Sequence, residues 1–444
     1  MLSQSLASFI HRTKYEYLEE DVVQFTKLCI LDWLGSALAG SHYKPVQILK
    51  AFIDEMGGNP QASLVTGGKT SVYQAALVNG ASSHMVELDD IHKASIIHAA
   101  TVIIPAAVAV AEYRQKSGQD LITAVVVGYD VAFRIGEAVS PSHYRYWHNT
   151  ATCGTFGAAA AAAKLLELDE EQIINTLGTA GTQAAGLWQF IDDGAMTKQL
   201  HPGKAAMEGV LAAITAQKGF TGAKRILEGP RGFFKAMCEE ADESKVTQQL
   251  GEVFKIKENS FKIHASCRHT HQPIDVVLEL QKTYNIAPAD IRHIRVRTYQ
   301  SAIEIAGYAN PESVYASKFS IPYCVAVALE KGSAGLDDFN ERNLQDPNIR
   351  NLMEKVEVVL DPEIEEEYPH KWASLVEMEL NDGRQLSQHV DFPKGDPENP
   401  VTKEDLINKF KRMTQDKLSV EQTNSWVDKI MKLDQIRVLD EWFE

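Results

Sequence analysis

The chain has 444 residues, 44% of them hydrophobic and 23% charged. That is ordinary globular composition, with length enough for two hydrophobic cores. The formal net charge of −16 excludes nucleic acid or an anionic membrane as the main partner, yet leaves room for a local cationic pocket that takes a small anion. The five cysteines (Cys29, Cys153, Cys238, Cys267 and Cys324) are scattered, odd in number and without a CxxC pair. This argues against zinc and iron–sulfur frameworks and fits a reducing, cytoplasmic compartment.

Taken in order, residues 4–12 predict a short helix. From Glu19 to Leu38 a longer one follows, with Val22, Phe25, Leu28, Cys29, Leu31, Leu34 and Leu38 at helical spacing. Further helices are expected from Pro45 to Met56, closed by Gly57-Gly58, and from Thr70 to Gly80. The N-terminus lacks a charged-then-apolar leader. The most apolar run, near 99–111, is too short for a bilayer and contains Pro105, so no membrane span is expected.

Between these helices lies the densest polar stretch, His84 to Thr101. It holds His84, Glu87, Asp89, Asp90, His92, Lys93 and His98 and feeds directly into an apolar helix. Capping that helix needs fewer charges than this, so the stretch reads as a site. A buried helix is expected from Gln119 to Val139, then a polar aromatic loop ending in His148. The helix after it, Thr150 to Lys164, is almost entirely small residues, which suits the middle of a bundle or a subunit interface. His148 precedes its start, where an anion can bind. Helices continue from Asp169 to Ala185 and from Gly203 to Lys218. Lys198, His201 and Lys204 crowd the start of the latter, a setting for a carboxylate.

No strand is expected before about residue 250. Beyond Gly251, strands are predicted at Phe254–His264, Ile291–Tyr299, Val356–Leu360, Ala373–Leu380 and Gln385–Val390, with helices at Gln272–Asn285 and Ser320–Lys331. Asn381-Asp-Gly marks a hairpin. From Thr402 onward helices return to pack on the first domain. The fold class is therefore mostly α: a large all-helical domain (1–255 and 400–444) and a smaller α+β lid domain (256–399).

The expected junction carries Lys262, His264, Cys267, Arg268, His269 and His271. On a strand, His269 and His271 would share a face, but without a supporting ligand at the right spacing no metal is expected. Cys267 is read as a buried small hydrophobe, with a reactive thiol as the alternative. Asp89, Lys93, Cys267, Arg268 and His271 are candidate substrate-binding residues. The inventory as a whole fits a small polycarboxylate: Arg and Lys hold carboxylates, and His or Asp moves a proton on the neighbouring carbon. No phosphate loop, dinucleotide fingerprint or nucleophile elbow is present.

Five phrases in a fixed order carry a resemblance that runs over nearly the whole chain. They are Leu88-Asp-Asp with His98; His148-Asn-Thr-Ala-Thr-Cys-Gly-Thr-Phe-Gly-Ala-Ala; Lys198-Gln-Leu-His-Pro-Gly-Lys-Ala-Ala; Lys262 through His271; and Ala316-Ser-Lys-Phe-Ser-Ile-Pro-Tyr323. Together they resemble the MmgE/PrpD family of 2-methylcitrate dehydratases, cis-aconitate decarboxylases and an iminodisuccinate epimerase. The resemblance implies a helical domain with an α+β lid, a homodimer and no cofactor. It also implies catalytic roles for Asp90 or Asp89 and for His98, His148, Lys198, Lys262 and Tyr323. Two departures stand out. Cys267 stands where the decarboxylase pattern has histidine, and Ala-Ala rather than Pro-Ser follows His98.

The expected activity is that of a cofactor-independent lyase on a di- or tricarboxylate. An epimerase of an iminodisuccinate-type dicarboxylate and a catalytically lapsed carboxylate-binding protein are the alternatives. The pocket is expected between the helical domain and the lid, with Lys198 and Lys262 closing on it.

Overall fold

A computed structural model describes residues 1–443. The chain divides into two compact units. The larger comprises Met1–Met85, Asp89–Asn259 and the segment from Thr402 onward. The smaller comprises Val86–Leu88 and Ser260–Val401. The three-residue excursion at Val86–Leu88 has no signal in the sequence. It divides the acidic stretch, giving Glu87 to the smaller unit and Asp89 and Asp90 to the larger.

The larger unit is helical. Its main elements are α1 (Leu2–Arg12), α2 (Glu20–Gly40), α3 (Lys44–Met56), α4 (Val72–Ser83), α5 (Ala100–Tyr113), α6 (Gly118–Val139), α7 (Asn149–Leu165), α8 (Glu170–Gln183) and α9 (Thr197–Gln217). A two-residue antiparallel ribbon, β1 (Ala62–Ser63) and β2 (Lys69–Thr70), precedes α4, against the expectation of no strand before 250. It is too short for alternation to register in a sequence. The small-residue helix α7 occupies the middle of the bundle: Ala158 to Ala163 are wholly buried, and α5, α6, α8 and α9 pack around them.

Missing side chains make this approach possible. A Cβ on Gly203 of α9 would lie 2.2 Å from the Leu77 carbonyl of α4, and one on Gly157 of α7 would lie 2.7 Å from the Gly128 carbonyl of α6. Backbones this close bring the ends of α4, α7 and α9 together.

By length and hydropathy α2 could cross a bilayer, but 78% of its most apolar window is buried within the unit. It also carries two ionic contacts at 2.5 Å, one from buried Lys27 to the partly exposed Asp434 and one between buried Asp32 and Lys409. Returning helices α12 (Lys403–Thr414) and α13 (Val420–Met431) pack on α2, as expected.

The smaller unit contains α10 (His271–Tyr284) and α11 (Ile321–Lys331), packed on a four-stranded sheet of order β4-β3-β5-β6. Its strands are β3 (Ile291–Thr298), β4 (Val356–Leu360), β5 (Ser374–Leu380) and β6 (Gln385–Val390). The β3–β4 pair is parallel; β3–β5 and β5–β6 are antiparallel. Alternation in β5 is clean, with Ser374, Val376, Met378 and Leu380 buried. Gly383 turns the expected hairpin with φ +87°.

The strand predicted at Phe254–His264 is not formed. Lys255–Glu258 makes a 3₁₀ turn instead, and the chain then crosses irregularly into the smaller unit. The Phe261 N–H bonds the Gly395 carbonyl at 2.9 Å, outside any strand. His269 and His271 likewise do not share a strand face. They lie in a 3₁₀ turn and the start of α10, and their rings take different partners.

Candidate active site

In the helical unit, the end of α4, the loop 89–99, the residue before α7 and the first turns of α9 converge. His84, Asp89, His98, His148, Lys198 and His201 all come from these segments. All are buried except His98, whose side chain is 12% exposed.

Asp89 joins two of the rings. Its Oδ2 lies 2.7 Å from Nδ1 of His84 and 3.2 Å from Nδ1 of His98. His98 Nδ1 is also 2.6 Å from the backbone carbonyl of Asp90. The rings of His84 and His148 are 5.8 Å apart, and those of His98 and His148 are 6.5 Å apart. His148 meets His201 through their Nδ1 atoms at 3.1 Å.

Lys198 and His201 are three residues apart on α9 and therefore share a face. Helix α9 begins at Thr197, earlier than expected, so Lys204 falls beyond its first turn. There it pairs with Glu208 at 3.0 Å, away from any terminus. Burial, followed by the charges of His201, His84, Lys198 and His98, holds His148 well below the usual imidazole range. His201 is brought down to about 4 by burial and by His84, Lys204 and Lys198.

Asp90 points elsewhere. Its carboxylate accepts from Tyr129 Oη (2.7 Å), Asn259 Nδ2 (2.7 Å) and the Ala100 backbone N–H (3.0 Å). It thus caps the start of α5 and ties it to α6. Burial raises its pKa to about 7 against these donors, with the Asp89 and Asp32 charges adding to the rise. Of the two adjacent aspartates, Asp89 is the one placed against the histidines.

The loop that presents Asp90 and His98 is braced. His92 stacks on Phe133 of α6 at 3.9 Å, and its Nδ1 accepts from the Ser95 backbone N–H at 3.3 Å. Asn149 Nδ2 donates to the Ser95 carbonyl at 2.7 Å. Thr150 Oγ1 accepts from the His98 N–H at 3.1 Å. The turn passes through Ile96 at φ +54°, an expensive conformation for a β-branched residue that these contacts sustain. Lys93 lies half-exposed in this turn.

In the smaller unit, Lys262 is fully buried with the Glu87 carboxylate 3.5 Å away. Tyr315 Oη donates to Glu87 at 3.3 Å, and Lys318 Nζ to the Val86 carbonyl at 2.8 Å. Glu87 itself has φ +57°.

Arg268 is committed inward, pairing with buried Asp396 and donating to His271 Nδ1 at 3.0 Å. Burial and then the Arg268 charge hold His271 well below the usual range. Cys267 is buried, its N–H bonded to the Lys318 carbonyl at 2.9 Å. The Tyr323 ring packs on Phe339 at 6.0 Å, and its buried hydroxyl has no hydrogen-bond partner among the described residues.

Among the described residues, two groups have the composition to ligate a metal: His84, Asp89 and His98, and His92, Glu137 and Glu258. In the first, His98 Nδ1 faces a carbonyl that can only accept, so that nitrogen carries the proton and only Nε2 keeps a lone pair. In the second, the Lys255 ammonium sits 3.0 Å from both carboxylates, where a cation would go.

His84 stands within a stretch marked in the sequence without a role of its own, and His201 is read there as part of a carboxylate setting, not as a partner of His148. Their only signal is position, five residues before Asp89 and three after Lys198.

Fold and site together define a protein with a large helical unit, an α+β unit and a buried histidine–carboxylate–lysine constellation. The chain belongs to the MmgE/PrpD family: the N-terminal domain of that family matches residues 4–245 and the C-terminal domain residues 264–434. It is similar to cis-aconitate decarboxylase of Aspergillus terreus, 29% identical over 94% of this chain and 90% of the relative. It is similar also to cis-aconitate decarboxylase of Homo sapiens, at 26% over 98% and 92%. A third relative is 2-methylcitrate dehydratase of Escherichia coli, 23% identical over 89% and 87%. These relatives are lyases by name, a carboxy-lyase and a hydro-lyase.

Proposed function

We propose that this protein is a cofactor-independent lyase acting on a small di- or tricarboxylate, as a cis-aconitate decarboxylase or a 2-methylcitrate dehydratase does. The observation that carries the reading is the gathering of four histidines, three of them buried, with Asp89 and Lys198 in one unit. Loss of CO2 and loss of water both pass through negative charge on carbon beside a carboxylate. A buried ammonium and preoriented imidazoles stabilise such charge and move the proton.

In this reading Lys198 holds a carboxylate and His98, oriented by Asp89 and the Asp90 carbonyl, is the base. Asp90 acts by positioning, since its oxygens are taken up by Tyr129, Asn259 and Ala100.

The test is incubation with cis-aconitate and with 2-methylcitrate in D2O, followed by NMR. A decarboxylated or dehydrated product supports the reading and separates its two forms. Deuterium exchange alone would indicate an epimerase, and no change a lapsed binding protein.

The chain is further proposed to work as a cytoplasmic homodimer. The free state of all five cysteines supports the compartment. Support for the dimer comes from exposed Leu200 and Leu211 on α9 and nearby exposed Leu187 and Ile191. Light scattering that gives a monomer mass would refute the dimer.

A further inference from the structure

The four histidines gathered at the site are not equivalent, and their partners constrain which nitrogen of each carries hydrogen. His98 Nδ1 faces the Asp90 carbonyl at 2.6 Å. A carbonyl only accepts, so Nδ1 is protonated and the neutral ring has its lone pair on Nε2. His84 Nδ1 faces the Asp89 carboxylate at 2.7 Å, and the same logic applies. Its Nε2 is buried and has no hydrogen-bond partner among the described residues. In the neutral form of either ring Nε2 is the accepting position, and a reaction that builds negative charge on its substrate also needs a donor.

His148 and His201 meet Nδ1 to Nδ1 at 3.1 Å. Two lone pairs, or two N–H groups, would repel at that distance. One Nδ1 therefore carries hydrogen and the other accepts it, and the two neutral rings hold opposite tautomers. Whichever ring accepts has its own hydrogen on Nε2. His148 is the ring in contact with His84 and His98, at 5.8 and 6.5 Å. His201 lies one layer back, edge-on to Phe190 at 5.4 Å, with Gly186 against its Nδ1 edge.

We propose that His201 is a positioning residue that donates its Nδ1–H to His148 Nδ1, so that His148 keeps its hydrogen on Nε2 and serves as a neutral donor to the developing negative charge, complementary to the His98 base. The proposal rests on the lyase reading above and assigns that site's donor.

The surroundings keep the pair neutral. His148 is faced by His201, His84, Lys198 and His98, and His201 by His84, Lys204 and Lys198. With burial, these groups disfavour a cation on either ring at neutral pH. A neutral imidazole used as an electrophile has a precedent in triosephosphate isomerase, where a histidine with lowered pKa polarises the substrate carbonyl. Division of labour follows: Lys198 binds the ground-state carboxylate, His98 takes or returns the proton, and His148 stabilises the charge between those events.

Long-range 1H–15N spectra of the full-length, ligand-free protein with 15N-labelled histidine read the tautomers directly. The expected result is His148 with hydrogen on Nε2 and His201 with hydrogen on Nδ1. His148 protonated on Nδ1, or cationic at pH 7, would overturn the proposal.

Kinetics supply the second arm. His201→Leu removes the donor and is expected to lower kcat about ten- to hundred-fold, with KM within about threefold. His201→Asn offers an amide N–H in its place and is expected to recover kcat to within about fivefold of wild type. An unchanged kcat in His201→Leu, or an Asn variant as impaired as the Leu variant, would count against the assignment. The spectra need no substrate. If wild type turned over none of the acids, the lyase reading and the catalytic half of the proposal would fall, while the tautomers would still decide the His201–His148 half.

Discussion

Gly136 is the point at which α6 touches the loop that carries the site. A Cβ there would lie 2.6 Å from Ser95 Cβ, 2.6 Å from Ile97 Cδ1 and 3.3 Å from the Ser95 carbonyl oxygen. Carbon–carbon contacts settle near 3.5–4.0 Å, so Gly136→Ala demands a displacement of about 1 Å. The Ile97 tip can rotate away. Ser95 cannot, because His92 and Asn149 hold its backbone on both sides. The turn must therefore move as a body, and His98 is the next residue but two.

Overpacking costs about 1–3 kcal/mol, offset by about 1 kcal/mol for replacing a helical glycine with alanine, so the net loss of stability is about 0–2 kcal/mol. Function should suffer more. A 1 Å misplacement of a reacting group can cost about 10²-fold, so kcat/KM is expected to fall ten- to hundred-fold while the melting temperature drops by only a few degrees.

Gly35→Ala is the control. Its Cβ would be closer still to a neighbour, 2.4 Å from Met413 Cε, but that neighbour is a flexible tip remote from the loop. Activity in that variant should be unchanged. The reasoning is refuted if Gly136→Ala keeps kcat/KM within about threefold of wild type, or if the Gly35 variant loses as much.

Asp89→Asn removes the acceptor shared by His84 and His98 and should lower kcat by about two orders of magnitude, measured by NMR turnover; a loss under tenfold would show that the Asp90 carbonyl alone orients His98. The Asp90 pKa is raised from 3.8 to about 7 on folding, so the folded state holds the proton more tightly. Stability from this group is complete at about pH 4 and is lost as pH rises to about 7, at about 1.4 kcal/mol per unit. Urea titrations across that window should slope downward in wild type and less steeply in Asp90→Asn; parallel slopes would refute the assignment. Lys262→Met strands the buried Glu87 carboxylate and should cost about 3–5 kcal/mol in urea unfolding, with much of it recovered in the Lys262→Met, Glu87→Gln double variant; no recovery would show that the two are not coupled.

Much of the fold could be read from the chain because its helices are long and periodic. The limits of α2, α6 and α7 fall within a residue or two of their predictions, and β5 alternates as its pattern requires. The errors arise where periodicity carries no information. Lys255 to His264 has apolar residues at strand-like spacing, but Ile256 lies in a 3₁₀ turn and the Phe261 N–H bonds the Gly395 carbonyl, so no ladder forms. The start of α9 was placed six residues late because Pro202 resembles an N-terminal proline; it lies inside the helix instead.

Composition and motif order by themselves determined that this is a mostly helical, acidic, two-unit protein with polar clusters before α5, α7 and α9 and around Lys262. Those are local properties, set by which residues are adjacent in the chain. Which of the clustered groups meet is not a local property. Tertiary structure alone turns Asp90 inward onto Tyr129 and Asn259, leaving Asp89 to bind His84 and His98. It alone commits Arg268 to Asp396, and it alone sets His148 against His201 across 53 residues of chain. The physical reason is that a buried charge or ring nitrogen must find a partner within about 3 Å, and that partner is chosen by how closely the helices pack. Here the packing distance is fixed by glycines and alanines whose effect is the side chain they lack.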